Sequence, residues 1–238
     1  MNPAPPILAL ASDYDATLAF EGKLAASTRE ALSRFKASNR KLLLVTGRDL
    51  DDLLAILPGI ELFDCIVAEN GALLYWPSSR RIESLASSPT KHFLENLRKR
   101  GVQPLSVGCT IVATKLSHYD AVQTAISEMG LALKIILNRD SVMVLPAGMN
   151  KATGLACALS ELRLHPDHVV GIGDAENDEA FLELCGFSVA VANAIPRIQE
   201  MSDLITEQEH GGGVVEVIEK ILAGEQLRHL STVPSHHR

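Results

Sequence analysis

The tightest constraint on this chain is a set of short aliphatic runs, each ending on a polar residue. "PILALAS" stops at Asp13, "RKLLLVTGR" reaches Thr46, "DCIVAEN" ends at Asn70 and "HVVGIGD" ends at Asp174. Runs this short, bounded by turn residues and rich in branched aliphatics, read as strands buried on both faces. "GALLYWP" and "SVAVAN" read the same way. Aromatics are only 4% of a chain that is 47% hydrophobic, so aliphatic side chains and alanine must fill the interior.

Helical patterns lie between the runs. Ser27 and Glu30 have capping-box spacing, and Ala31, Leu32 and Phe35 form an apolar stripe behind them. "DLDDLLAIL" reads as a short helix stopped by Pro58-Gly59. "NKATGLACALSEL" places Leu155, Ala158, Leu159 and Leu162 on one face. "DEAFLELCG" is a further helix, and "HGGGVVEVIEKILAG" reads as a glycine loop running into a last one. Strand alternating with helix predicts an α/β fold around a parallel sheet.

The middle of the chain breaks this pattern. "SPTKHFLENLRKRG" and "SHYDAVQTAISEMG" read as helices with glycine stops, with "CTIVATK" a strand between them. "LALKIILN" and "SVMVLPAG" read as a hairpin turning at "NRD". The reading is an α+β insertion over 83–147 that splits a core made of 1–82 and 148–224, with a flexible tail at 225–238.

Composition excludes several functions. The net charge is −7, and the one basic cluster, around Lys99, reads as the solvated end of a helix, so no nucleic-acid partner is expected. Cys65, Cys109, Cys157 and Cys185 form no C-x-x-C pair, which fits a reducing, cytoplasmic setting. "ILALA" is too short for a signal-peptide core, and no apolar run approaches the ~18 residues of a membrane helix. His236 and His237 belong to the polar tail rather than to a metal site. A monomer and a dimer fit the sequence equally.

In a parallel sheet, ligands bind outside the carboxyl ends of the strands. That edge would collect Asp13, Asp15, Thr46, Gly47, Asp174 and Asp178, with Lys151 opening a helix nearby. A lone D-x-D is an ordinary turn signal. Carboxylates crowded together, however, need a counter-charge, and Mg²⁺ with its preference for carboxylate, water and phosphate oxygens supplies one. A lysine and a threonine beside it suit a phosphoryl group. Other motifs fail on spacing. "AGMNKATG" lacks the phosphate-loop pattern, "GIGDAE" has Glu176 where a third glycine is needed, and Glu179 replaces the glycine of a calcium loop. No G-x-S-x-G elbow is present.

"DYDAT", "TGR", Lys151 and "GDAENDEAF" stand in the order and spacing of the haloacid dehalogenase (HAD) superfamily, which the chain resembles from about residue 8 to 222. "AENGA" at 68–72 and "VANAIPRIQEMSD" at 191–203 are similar to its Cof-like IIB phosphatases. The resemblance implies a Rossmannoid core with an inserted C2-type cap. It implies Asp13 as nucleophile, forming an aspartyl-phosphate, and Asp15 as general acid and then base. Thr46, Gly47 and Lys151 would hold the phosphoryl oxygens. Asn177 would bond the phosphate or Lys151. Asp13, the Asp15 carbonyl and Asp174 would hold Mg²⁺, with Asp178 bound directly or through water.

The implied activity is Mg²⁺-dependent hydrolysis of a small soluble phosphate monoester, sugar phosphate or phosphoglycolate-like. A phosphomutase or phosphotransferase on the same scaffold, and a non-catalytic module binding phosphorylated ligands, are the alternatives. The family has glycine where this chain has Ala16. With Thr17 and Leu18 keeping the pattern, a negative φ is expected there, at which alanine costs nothing. Arg139 in the "NRD" turn is expected to face the site and grip a second anionic group. Tyr75 and Trp76 are expected where cap meets core, His210 in a surface loop, Arg48 in a structural ion pair, and Met143 and Met149 in core or hinge packing.

Overall fold

The computed structural model describes residues 5–138, 140–225 and 227. The strands are β1 (Ala9–Ser12), β2 (Ala19–Phe20), β3 (Lys23–Leu24), β4 (Lys41–Val45), β5 (Cys65–Ala68), β6 (Leu73–Trp76) and β7 (Arg81–Ser84) in the first part of the chain. Then come β8 (Ser106–Val107), β9 (Val112–Lys115), β10 (Leu133–Asn138), β11 (Ser141–Pro146), β12 (Val169–Gly173), β13 (Phe187–Ala190) and β14 (Leu204–Ile205). The helices are α1 (Ala26–Ala37), α2 (Leu50–Ile56), α3 (Lys91–Lys99), α4 (Tyr119–Glu128), α5 (Lys151–Leu162), α6 (Glu179–Leu184), α7 (Pro196–Met201) and α8 (His210–Leu222).

The large sheet has the order β14-β13-β12-β1-β4-β5-β6-β7. Pairing is parallel from β14 through β5, as the α/β pattern predicts. Ala9–Ser12, Leu42–Val45 and Cys65–Ala68 are all buried, because helices cover both faces. The crossovers leave β1 in opposite directions, through α1 towards β4 and through α6 from β12 towards β13. Right-handed connections therefore place α1 and α6 on opposite faces. α8 packs on α1, and α5 on α6.

The last two strands differ from the expected parallel pattern. Only a short turn, Glu69–Gly71, joins β5 to β6, which is too little chain for a crossover. β6 and β7 therefore run antiparallel at the sheet edge. β7 extends the large sheet to Ser84, two residues past the division expected after 82. Tyr75 and Trp76 belong to the main apolar core, not to a seam with the insertion, and Arg81 lies 4.9 Å over the Trp76 ring.

The insertion makes its own antiparallel sheet, β10-β11-β9-β8. α3 and α4 pack on it through Phe93, Leu97, Val122 and Ala125, which meet Val112, Val142 and Val144 in a second core. The β10–β11 register closes Asn138 against Ser141, as the hairpin predicts. Arg139 lies outside the described residues, as do His236, His237 and nearly all of the tail. A cavity of about 410 Å³ opens beside the linkers, lined mainly by apolar groups such as Leu85, Phe93, Val144 and Met149.

Two local readings are corrected. α1 begins one residue before Ser27, with Ala25 as its N-cap and no side-chain cap, so Ser27 and Glu30 lie inside the helix rather than forming a capping box. The glycines at 211–213 are the first turn of α8 and not a loop. A Cβ on Gly211 would overlap the Leu18 carbonyl and Thr28, so the glycines let the helix end press against α1 and the turn before β2. Among the described residues no helix is long and apolar enough to cross a membrane. All four cysteines are free thiols.

Candidate active site

β12, β1 and β4 are neighbours, so their carboxyl ends bring Asp174, Asp13 and Thr46 together. Ligand atoms of Asp13, Asp174 and Asp178 all lie within 4.8 Å of one another, and all three residues are buried. Lys151 Nζ donates to Asp13 Oδ1 at 2.5 Å and to Asp178 Oδ1 at 2.5 Å. The Asp174 and Ala175 amides donate to the other Asp178 oxygen at 2.9 and 3.0 Å, and Thr17 donates to Asp174 at 2.8 Å.

Local sequence puts Lys151 there. Asn150 caps α5 reciprocally with Thr153, which makes Lys151 the first helical residue. Gly154 packs against the backbone of Gly71, where a Cβ would overlap the Gly71 carbonyl. The helix start is thereby drawn onto the loop after β5, and the ammonium reaches across to the Asp13 that follows β1.

Burial holds the Asp13 carboxyl well above the usual carboxylate range; the Lys151 ammonium opposes this, while Asp178 and Asp174 add to it. Burial also disfavours the Lys151 ammonium, but Asp13 and Asp178 outweigh it and hold Lys151 above its usual value. One ammonium thus faces three buried carboxylates. This oxygen-only set fits a hard divalent cation such as Mg²⁺.

The Thr46-Gly47 loop is tied to the loop after β5. Thr46 is fully buried, and its Oγ1 accepts from the Arg48 amide at 3.1 Å. The Asn70 amide donates to the Thr46 carbonyl at 3.1 Å. Asn177 donates to Asn70 Oδ1 at 3.1 Å, so it joins neither Lys151 nor the carboxylate cluster. Asn177 thus bridges the loops that follow β12 and β5. Met143 is not simple core or hinge packing either. Asn70 Nδ2 lies 2.7 Å from its sulfur, and a Cβ on Gly47 would come within 3.2 Å of its methyl group, so β11 lies over the loop.

Arg48 makes the expected ion pair, and its partner is Asp15. Nε and Nη2 reach the two Asp15 oxygens at 2.7 Å each, and Nη1 also pairs with Asp52. The Asp15 side chain is 40% exposed and lies outside the buried cluster of Asp13, Asp174 and Asp178. Ala16 overturns the expectation of a negative φ. It sits at φ 60, a left-handed conformation costing about 1–2 kcal/mol for a residue with a Cβ. His210 is also misplaced by the sequence reading: it opens α8 and its Nδ1 lies 2.8 Å from the Ala16 carbonyl.

Glu69 is a residue that sequence reasoning missed. It is fully buried in the large-sheet unit, yet its carboxylate accepts from the Cys109, Thr110 and Ile111 amides at 2.8, 2.6 and 3.0 Å. Thr110 Oγ1 donates to it as well, at 2.6 Å. Four donors from the insertion thus converge on one anion from the core. Glu69→Gln keeps the shape but turns an NH₂ towards those donors. It should weaken the attachment by about 2 kcal/mol, read as faster hydrogen exchange at Thr110 and Ile111 with α1 unchanged. Unchanged exchange at those amides would refute the clasp. The only signal in the sequence was the position of Glu69 inside "AENGA".

The chain matches the family model described as haloacid dehalogenase-like hydrolase over residues 10–125 and 135–218. It is 32% identical to phosphoglycolate phosphatase 2 of Saccharolobus solfataricus, over 90% of this chain and 92% of that one. It is 29% identical to a phosphoglycolate phosphatase of Methanothermobacter thermautotrophicus, over 90% and 98%. A haloacid dehalogenase-like hydrolase from Bacteroides thetaiotaomicron superposes with a TM-score of 0.79 at 19% identity, covering 90% of this chain and 99% of that one. A HAD subclass IIB sugar phosphatase superposes at 0.69 and 17% identity, over 89% and 97%. Matched by that model over most of its length, and by relatives along nearly all of it, the chain belongs to the haloacid dehalogenase-like hydrolase family.

Proposed function

We propose that the protein is a Mg²⁺-dependent phosphatase acting on a small, soluble phosphate monoester. The observation that carries this is Asp13, Asp174, Asp178 and Lys151 gathered at adjacent strand ends beside the Thr46-Gly47 loop. The relatives named phosphoglycolate phosphatase favour a short acidic ester of that kind. Residues 85–147 serve as the cap over a core of 1–84 and 148–224.

Asp13 attacks phosphorus and becomes an aspartyl-phosphate while the ester oxygen leaves with a proton from Asp15. Asp15 then takes a proton from water, the water attacks the phosphoryl group, and phosphate departs with Asp13 restored. At rest both oxygens of Asp15 are paired with Arg48. To donate in the first step it has to swing off Arg48. Thr46, the Gly47 N–H and Lys151 hold the phosphoryl oxygens, and Asn177 positions that loop through Asn70. Asp13, Asp174 and the Asp15 carbonyl would hold Mg²⁺, with Asp178 behind them, and the bound ion would supply the positive charge that offsets the repulsion between the phosphoryl group and Asp13.

The test is phosphate release from phosphoglycolate, several sugar phosphates and p-nitrophenyl phosphate, with Mg²⁺ and with EDTA. Release that needs Mg²⁺ is the expected result, and the best ester names the substrate class. No release from any ester by folded protein in Mg²⁺ would overturn the reading.

A further inference from the structure

Ala16 follows Asp15 directly, and the backbone there is held in a conformation that alanine resists. Its amide donates to the Ala19 carbonyl at 2.9 Å, closing the turn that leads into β2. Its carbonyl is caught by two side chains from the far end of the chain. Asn193 Nδ2 donates to it at 2.9 Å, and His210 Nδ1 lies 2.8 Å away. A carbonyl only accepts, so Nδ1 carries the hydrogen.

The two donors are themselves joined. The His210 amide donates to Asn193 Oδ1 at 2.8 Å. Phe20, on the hairpin after the turn, packs at a tilt against the His210 ring with centroids 4.9 Å apart. The next residue, Gly211, admits no side chain because Leu18 and Thr28 fill the space. Everything at this corner fixes one carbonyl, adjacent to a carboxylate whose side chain is 40% exposed and gripped by Arg48. When Asp15 leaves Arg48, the backbone of this turn sets where it points.

We propose that His210 and Asn193 are positioning residues: together they pin the Ala16 carbonyl and so aim Asp15 at the leaving oxygen. This rests on reading Asp15 as the acid and base. It has a consequence that packing alone would not produce. p-Nitrophenolate leaves without a proton, whereas an alkyl alkoxide needs one, so a misaimed acid hurts alkyl esters most.

The experiment compares kcat and KM on p-nitrophenyl phosphate and on the best alkyl phosphate of the panel, for the full chain in Mg²⁺. His210→Ala is expected to lower kcat/KM, which reports the step that forms the aspartyl-phosphate, by about tenfold or more on the alkyl ester and by less than about threefold on p-nitrophenyl phosphate, while kcat, which includes the hydrolysis common to both, falls on both. His210→Asn, whose amide N–H takes the place of Nδ1–H, should restore most of the loss. Ala16→Gly combined with His210→Ala should also restore it, since glycine adopts φ 60 unaided. Asn193→Ala removes the other donor and repeats the comparison if His210→Ala fails to fold. Equal losses of kcat/KM on both esters, or no recovery with glycine at 16, would overturn the proposal while leaving the phosphatase reading intact. A parent protein inactive on every ester would instead overturn that reading.

Discussion

Asp13→Asn should abolish turnover while making the metal-free protein harder to unfold. Asparagine keeps the shape and loses the nucleophilic oxygen anion, so kcat is expected to fall on the order of a thousandfold or more. Stability moves the other way because burial, the largest influence, lifts the Asp13 carboxyl above its ordinary value of 3.8. A carboxyl raised in the fold binds its proton more tightly folded than unfolded. Its ionisation therefore costs stability as pH rises from about 3.8 through the raised folded value. In EDTA, the parent should lose melting temperature across that window and the Asp13→Asn variant should lose less. Mg²⁺ should close the gap by stabilising the parent alone. A variant that melts below the parent in EDTA at neutral pH would refute this account of the buried cluster.

Lys151→Met carries the second large effect. The ammonium is 1% exposed and bonds both Asp13 and Asp178 at 2.5 Å, so its removal leaves buried carboxylates without their shared cation. Breaking a buried pair from one side costs about 3–5 kcal/mol. For a chain of this size that is a drop of roughly 10 °C in Tm without metal. Mg²⁺ should recover much of the stability, because it brings positive charge to the same oxygens. It should not recover activity, since the phosphoryl oxygens lose a donor, and kcat/KM should stay about a hundredfold or more below the parent. A melting temperature in EDTA equal to the parent's would sink the claim that Lys151 neutralises the cluster.

What was legible in the sequence is what sequence writes as local runs. β1, β4 and β12 were readable because strands buried on both faces are continuously aliphatic, and Asp13, Thr46 and Asp174 because each follows such a run. Lys151 was readable as a helix start. The antiparallel edge was not, since β6 looks like any aliphatic strand and only the shortness of the 69–71 turn fixes its direction. β7, with Arg81 and Glu83 on either side of an exposed Ile82, has no apolar run to announce it. Contacts between distant residues were hidden altogether. Nothing near Glu69 names the amides of 109–111, and nothing near Ala16 names Asn193 or His210. The sign of φ at Ala16 could not be read because the partners that make it tolerable lie 177 and 194 residues away.

The strand order also governs how the molecule is made. β1 leads into Asp13 and lies between β4 and β12, yet β12 is formed from residues 169–173. While the first two-thirds of the chain leaves the ribosome, β1 can pair on one side only. Its other edge has no neighbour until Val169 emerges, although every residue of the strand is one that the finished fold buries. Holdase chaperones, which bind extended aliphatic segments, should therefore meet this protein chiefly through residues 7–12, and lose their grip once α5 and β12 are synthesised. The same late arrival brings Lys151, Asp174 and Asp178, so until it Asp13 stands without the three charged groups gathered around it in the fold.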